Sequence, residues 1–391
     1  MLKKVKFILR SNLMIGGTKT NNNFLVSEDF ITGKVLRAAF AWSILNECPF
    51  AEEVYENKKY FVTYRGEKCG NCPNAEKCKK FSNMRFSFFY PENSVPAPFT
   101  LRECKAYGTK HPLKDTIAEN GRLSCEGTLE NGNACTGRME SVKGYINPET
   151  HQKVKLSRTN STHTAIDEYT HTALESSLFS VNSIAKDQIY EGYIDDCGTD
   201  MATNGQVIYC GKYSSCGFGK MEIIEAISAA EKNCSKAVKI FNDKFGAALS
   251  EKYGKDKMFA AVLFISDANL GLEEFNDSYA KSSEDYRKEW ENRIFGENSP
   301  IKLEQIYAQN FIYAGYDTSR TDGMYGIQKS PCILTEKGTS LLISFDRKNL
   351  QTAVDYLNAL TQSGIGKETE IGYGQIEICN SLHLIGVGKN D

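Results

Sequence analysis

Two glycine-rich stretches, far apart in the chain, share one spacing: Tyr209-Cys-Gly-Lys-Tyr-Ser-Ser-Cys-Gly-Phe-Gly219 and Gly364-Ile-Gly-Lys-Glu-Thr-Glu-Ile-Gly-Tyr-Gly374. Each runs glycine, lysine, a short polar stretch and then glycine-aromatic-glycine, and each leads into a strand-like segment. Glycine admits positive φ and lets another backbone come close. A loop with exposed amides and one lysine suits a phosphate chain. Lys212 and Lys367 are therefore candidate phosphate contacts, with Gly211, Gly217, Gly219, Gly364, Gly366, Gly372 and Gly374 alongside. The alternative is a pair of tight turns with solvated lysines. Two matched copies favour a duplicated nucleic-acid-binding unit.

Cysteine supplies a second chemistry. Cys69-x2-Cys72-x5-Cys78 has the spacing of a metal knuckle, with Cys48 or Cys104 as the fourth ligand. Cys104, His111, Cys125 and Cys135 form another set, three thiolates and one imidazole. Both cannot own Cys104, so the partition stays open. Structural zinc is the expected cofactor, with an iron–sulfur cluster or free thiols as alternatives. Four protein ligands leave no open catalytic position, so such a metal folds its segment. Cys197, Cys210, Cys216, Cys234, Cys332 and Cys379 sit among apolar or glycine-rich neighbours and read as buried small hydrophobes.

His163 and His171 lie in the threonine-rich segment Asn160 to Thr172. Three roles are open to them: a general base on a ribose hydroxyl, a polar contact to RNA, or a solvated loop. Arg158, Arg37 and Lys19 are candidates for backbone contacts, with plain solvation as the alternative. The acids between Glu273 and Glu291 have no metal-binding spacing and read as a solvated face.

The elements that would position these groups follow from composition and period. With 391 residues the chain has room for two or three domains, and 41% apolar content is enough to give each a core. A net charge of −2 argues against coating nucleic acid by bulk electrostatics, while leaving room for one local basic groove. Thirteen cysteines without a secretory leader favour metal ligation and free thiols in the cytoplasm. The chain has no apolar run long enough to span a membrane.

Lys3 to Leu9 alternates as a half-buried strand does, and Thr32 caps a helix marked by Val35, Leu36, Ala39, Phe40 and Ile44. From about Cys48 to Lys143 apolar periodicity fades, as in an insertion held by metal. Ile223, Ile227, Cys234, Val238, Phe241 and Phe245 read as one face of a long helix. Met258 to Ile265 reads as a buried strand, Glu273 to Asn298 as a solvated helix or loop, and Ser340 to Phe345 as a strand. Leu350 to Leu360 gives a helix that stops at Gly364. The fold class is α+β: two ferredoxin-like βαββαβ domains, 1–224 and 225–391, with the cysteine-rich insertion 48–143 in the first. Four-stranded sheets of this kind commonly bind single-stranded RNA, so sheet faces as well as loops are expected contacts.

Ile31-Thr-Gly-Lys-Val-Leu-Arg-Ala-Ala39 after a first strand, with the closing Gly364-Ile-Gly-Lys … Gly372-Tyr-Gly374, resembles the RAMP proteins of CRISPR effector complexes. Arg158 … Thr164-Ala-Ile-Asp167 … Thr170 to Phe179 is similar to that family's central segment. Ala97-Pro-Phe-Thr-Leu-Arg-Glu-Cys-Lys105, ahead of a cysteine-rich stretch, resembles the type III-D subunit that caps the guide 5′ end. The resemblance runs over nearly the whole chain. It implies a non-catalytic, guide-RNA-binding subunit that grips the 5′ tag of the crRNA and meets target RNA through the guide. Its implied partners are the large signalling subunit and the backbone RAMP subunits. An endoribonuclease of the same superfamily is the alternative. Thr32 stands where the family usually has proline, and Ala38 where it has glycine. The loop Gly16 to Asn23 lacks the acid of the RNA-cleaving members, and Glu28 and Asp29 are the nearest carboxylates.

Overall fold

The computed structural model describes all residues except 17, 22, 51–61, 119–123, 231–232, 273–281, 315, 322–325, 329 and 386–391. At 18–21, 176, 316–321 and 326–328 it describes the backbone alone.

Alternation in the first segment makes strand β1 (Leu2–Leu9), whose Val5, Phe7 and Leu9 are fully buried. Thr32 Oγ1 accepts from the Val35 amide and starts α1 (Gly33–Asn46), which lays Leu36, Ala39, Phe40 and Ile44 on the sheet. The short β2 (Arg85–Phe86) follows, then a long hairpin, β3 (Arg158–Ile166) and β4 (Ala173–Ile184). The unit closes with β5 (Ile189–Asp195), β6 (Val207–Tyr209) and β7 (Lys220–Ser228). Hydrogen bonding orders them β6-β7-β1-β5-β2, all neighbours antiparallel.

The second unit opens with α2 (Ser235–Tyr253) and then runs β8 (Lys257–Phe264), α3 (Ser283–Phe295), β9 (Lys302–Tyr307). It ends with β10 (Ser340–Asp346), α4 (Leu350–Ser363) and β11 (Ile376–Ile378). The sheet order is β9-β10-β8-β11, again antiparallel. Chain order βαββαβ with the fourth strand beside the first is the split βαβ arrangement. The first unit has the same order in β1, β2, β5 and β7. Its second helix is absent, and the loop from Asp196 to Gly219 crosses in its place, carrying β6.

Met258 to Phe264 is buried throughout, which explains its unbroken apolar run. Its methionine, phenylalanine, valine and leucine side chains each contribute about 1.5–3 kcal/mol through burial.

Several expectations change. Ile223 and Ile227 lie on strand β7, and the helix begins only at Ser235. Their spacing mimicked a helical face because a strand and a helix were read as one period. In the segment 273–298, of which residues 273–281 lie outside the described residues, α3 keeps a solvated face with Glu284, Asp285, Lys288 and Asn292 exposed, and it also buries Trp290, Ile294 and Phe295. The segment 48–143 is not held by metal alone. Its Arg85-Phe-Ser-Phe-Phe-Tyr90 run supplies β2, and Phe86, Phe88, Phe89 and Tyr90 are buried. A two-residue strand is too short to show a period. A third cluster, Phe30, Phe88, Tyr90, Tyr145, Leu334 and Tyr373, joins the two units.

Candidate nucleic-acid interface

The two glycine loops share left-handed φ values at matching positions from Gly211 and Gly366 onward. Gly211 and Gly366 both have φ +86°, Tyr213 and Glu368 have +63° and +62°, and Gly217 and Gly372 have +88° and +90°. The Lys212 amide donates to the Met14 carbonyl (2.8 Å), and the Lys367 amide to the Asn269 carbonyl (2.9 Å). The Gly219 amide donates to Asn12 O and the Gly374 amide to Asp267 O, both at 2.8 Å. Met14 and Asn12 follow β1 as Asn269 and Asp267 follow β8. Each loop is therefore latched to the exit of its own first strand, immediately before its fourth. A Cβ on Gly211 or Gly366 would stand 2.3 Å from the latching carbonyl, so only glycine fits.

This geometry revises the reading of the loops. The amides of Lys212, Cys216, Gly217, Phe218 and Gly219 all donate within the fold, and so do those of Lys367, Ile371, Gly372, Tyr373 and Gly374. At those positions the amides serve the turn and its close approach. Lys212 and Lys367 are both exposed.

The loops differ in what covers them. Gly372 is buried, with a Cβ position 2.6 Å from Phe86 O, and Tyr373 meets Phe88 edge-on at 5.2 Å. That loop is docked on the first unit. Gly217, its counterpart, has nothing within 4 Å of a Cβ position, and Ser214 to Gly217 are exposed.

Beside the open loop stands a wall of rings. His163 on β3 stacks on Phe179 of β4 (5.3 Å, 21°) and lies parallel to Tyr213 (6.4 Å, 10°). Phe179 also stacks on Tyr213 at 5.8 Å. His163 Nε2 is 2.9 Å from Ser161 Oγ, and Met14, Val181 and Phe218 fill the base of the wall. All three rings are half-buried, with Lys212 next to Tyr213 in sequence. Parallel aromatic faces beside one cation are what unstacked bases and a phosphate chain use. Sequence reasoning named His163 and Lys212 and missed Phe179 and Tyr213. Tyr213 had a signal, since it fills the loop slot that Glu368 fills in the other copy.

Other candidates are placed elsewhere. His171 is exposed at the hairpin tip with φ +53°, beside Tyr169, which is 93% exposed. Arg158 pairs with Asp29 and donates to Asn182 Oδ1 (2.6 Å) and the Ser27 carbonyl (2.9 Å). Arg37 donates to the Met84 and Phe81 carbonyls and covers the Phe81 ring. Both arginines tie the fold together. Lys19 lies on the strand Thr18–Asn21, and its side chain is outside the described residues. On the open face of the first sheet, Lys4 pairs with Glu191, Lys6 with Glu92 and Arg10 with Glu222. These basic side chains on that face are engaged in ion pairs.

The cysteine sets separate. Cys104, His111, Cys125 and Cys135 are all buried, with ligand atoms within 4.8 Å of one another. Cys104 Sγ is 4.0 Å from Cys135 Sγ, and His111 Nδ1 is 3.2 Å from Cys125 Sγ. Around a tetrahedral zinc the thiolates would stand about 3.7 Å apart, from a Zn–S distance of about 2.3 Å. The Gly127 amide points at Cys125 Sγ (3.4 Å), and a Cβ there would strike the His111 ring at 2.3 Å. The donor set and its cradle fit a structural metal. Burial raises the Cys104 thiol, but the Tyr107 and Ala106 amides outweigh that and hold it below its ordinary value. Among the described residues no other such group comes together, so Cys69, Cys72 and Cys78 are not assembled as tightly. Burial, then Cys72, Cys48 and Cys69, push the Cys78 thiol up to about 11. Of the cysteines read as buried hydrophobes, Cys210, Cys234 and Cys379 are buried, Cys197 and Cys332 half-buried, and Cys216 exposed on the open loop.

No family model matches the chain, and no curated protein matches it. Among solved structures it is similar to a chain of the type III-B Cmr-beta complex determined by cryo-EM with cognate target RNA and AMPPnP. That likeness has a TM-score of 0.42 and 9% identity over 97% of this chain and 99% of the other. A second chain of Cmr-beta bound to cognate target RNA gives 0.41 and 9%, over 95% and 96%. A chain of the apo state gives 0.28 and 10%, over 57% and 96%. No described helix is long and apolar enough to cross a membrane.

Proposed function

We propose that this chain is a non-catalytic guide-RNA-binding subunit of a type III RNA-guided effector complex. It grips the 5′ tag of the guide and packs beside the large signalling subunit and the backbone subunits. The observation that carries the reading is the wall of His163, Phe179 and Tyr213 midway along the β3–β4 hairpin, with Lys212 on the uncovered glycine loop. Bases stack on the rings while Lys212 meets a phosphate. Glu28 and Asp29 are the carboxylates nearest the loop after β1, and Asp29 is paired with Arg158, which suits a framework role for Asp29 and not proton transfer. The buried Cys104, His111, Cys125 and Cys135 hold a structural zinc ion.

The test is binding of single-stranded RNA carrying a repeat-derived 5′ tag, against RNA of scrambled tag. Photocrosslinking to Tyr213 or His163, and weaker binding by Lys212→Glu, are expected. Metal-independent or metal-dependent cleavage of that RNA, lost in His163→Ala, would replace the reading with an endoribonuclease. RNA that neither binds nor crosslinks would overturn both.

A further inference from the structure

We infer that the zinc ion proposed at Cys104, His111, Cys125 and Cys135 acts as a remote brace for the end of the second unit, an inference that rests on that zinc reading. The insertion belongs to the first unit by chain order, yet it delivers its load to the second. Between the ligands His111 and Cys125 the chain runs through the strand Lys114–Asp115, paired to the strand Leu101–Cys104 that ends in the first ligand.

Asp115 is the contact point. Its Oδ2 lies 3.0 Å from His383 Nδ1 and accepts from Thr100 Oγ1 at 2.8 Å, and its Oδ1 accepts from the Ile117 amide at 2.7 Å. Its own amide donates to the Ile385 carbonyl at 3.0 Å. Both side chains of the Asp115–His383 pair are sealed from solvent, at 1% and 0% exposure. Two residues on, Ile117 is buried in the core of the second unit with Val262 and Ile376. In return Leu382, which follows β11, is fully buried among Leu101, Leu113, Val142 and Ile146 of the insertion. Ser381 Oγ donates to the Pro148 carbonyl.

The turn Ser381–Leu384 thus sits on a shelf whose own core is thin. The shelf strands are two to four residues long, too short to be stable without a clamp. With metal bound, the span from Cys104 to Cys135 closes on four fixed points. Without it, the segment around His111 to Cys125 loses its anchors, and Asp115 and Ile117 lose their fixed position under His383 and β11.

Three measurements on the full-length chain test this. Elemental analysis of purified protein should find zinc bound, and its absence would remove the zinc reading and the brace together. Hydrogen exchange before and after chelation should rise roughly tenfold or more in 111–118 and in 376–385, with 33–46 unchanged, and added zinc should reverse it. Zinc lost with faster exchange confined to 104–139 would overturn the brace and leave the metal site standing. Asp115→Ala touches no ligand and should keep its zinc while residues 381–385 exchange faster. Unchanged exchange there would also overturn the brace.

Discussion

Gly33 and Ile371 meet backbone to backbone: a Cβ on Gly33 would stand 2.3 Å from the Ile371 carbonyl oxygen and 2.1 Å from that of Phe86. The first turn of α1 is therefore the seat on which the second glycine loop rests. Backbone atoms cannot rotate away, so Gly33→Ala pushes α1 away from both β2 of its own unit and the second glycine loop. Overpacking of this kind costs about 1–3 kcal/mol. Denaturant unfolding should show that loss, and a midpoint equal to wild type would mean the two units are not held there.

The matched loops allow a cleaner comparison. Gly217 and Gly372 share φ near +90°, so alanine at either pays the same left-handed strain, about 1–2 kcal/mol. Only Gly372 also has Phe86 O at 2.6 Å from the new Cβ. Gly372→Ala should therefore be the more destabilising by about 1–3 kcal/mol. Equal losses from the two variants would show that the second loop is no more closely covered than the first.

Asp196 is a buried acid at the end of β5, with Lys3 Nζ 2.8 Å away and the Gly198 amide donating to it at 3.0 Å. Burial raises its carboxyl, but Lys3 and the Gly198 amide outweigh that and hold it below the ordinary value. A depressed carboxyl contributes stability above its unfolded pKa of about 3.9, lost as pH falls through the folded value. Lys3→Met leaves the charge buried with only the Met1 amine and the Gly198 amide beside it, and should cost about 1.5–3 kcal/mol at pH 7. The gap to wild type should narrow as pH falls through the variant's own folded value for Asp196, which burial raises once Lys3 is gone. A gap that stays constant from pH 7 to pH 3 would rule out this origin.

Much of this was readable from residue types. The alternation of β1, the Thr32 cap, the stop at Gly364 and the repeated glycine spacing all reflect local rules, and local rules survive in sequence. The donor set Cys104, His111, Cys125 and Cys135 was readable as chemistry, whereas its claim on Cys104 over Cys69, Cys72 and Cys78 depended on strand pairing. What stayed hidden was long-range. Nothing near Arg158 announces Asp29, and nothing in the loops tells which will be covered by Phe86 and Phe88. The missing second helix of the first unit had no positive signal either.

Cys216 reports on the open loop. Among the described residues it is the one exposed cysteine, placed between Tyr213 and Phe218. A maleimide should modify it first in the native protein, and bound RNA should slow that reaction. Modification at an unchanged rate with RNA saturating would place the nucleic acid away from this loop.

Stacking and charge can be separated at the interface. Tyr213→Ala removes a ring face without altering charge, and a base–aromatic stack is worth about 1–3 kcal/mol. Its affinity loss should be roughly the same at low and high salt. Lys212→Glu should instead reduce the salt dependence itself, because one fewer phosphate is neutralised and the slope falls by about 0.7 for a single strand. Lys367→Glu is the informative control: that lysine sits on the docked loop, away from the ring wall, and by this geometry its effect should be the smaller of the two. If Lys367→Glu weakens RNA binding as much as Lys212→Glu, the RNA must contact both loops, and the ring wall would no longer define the site.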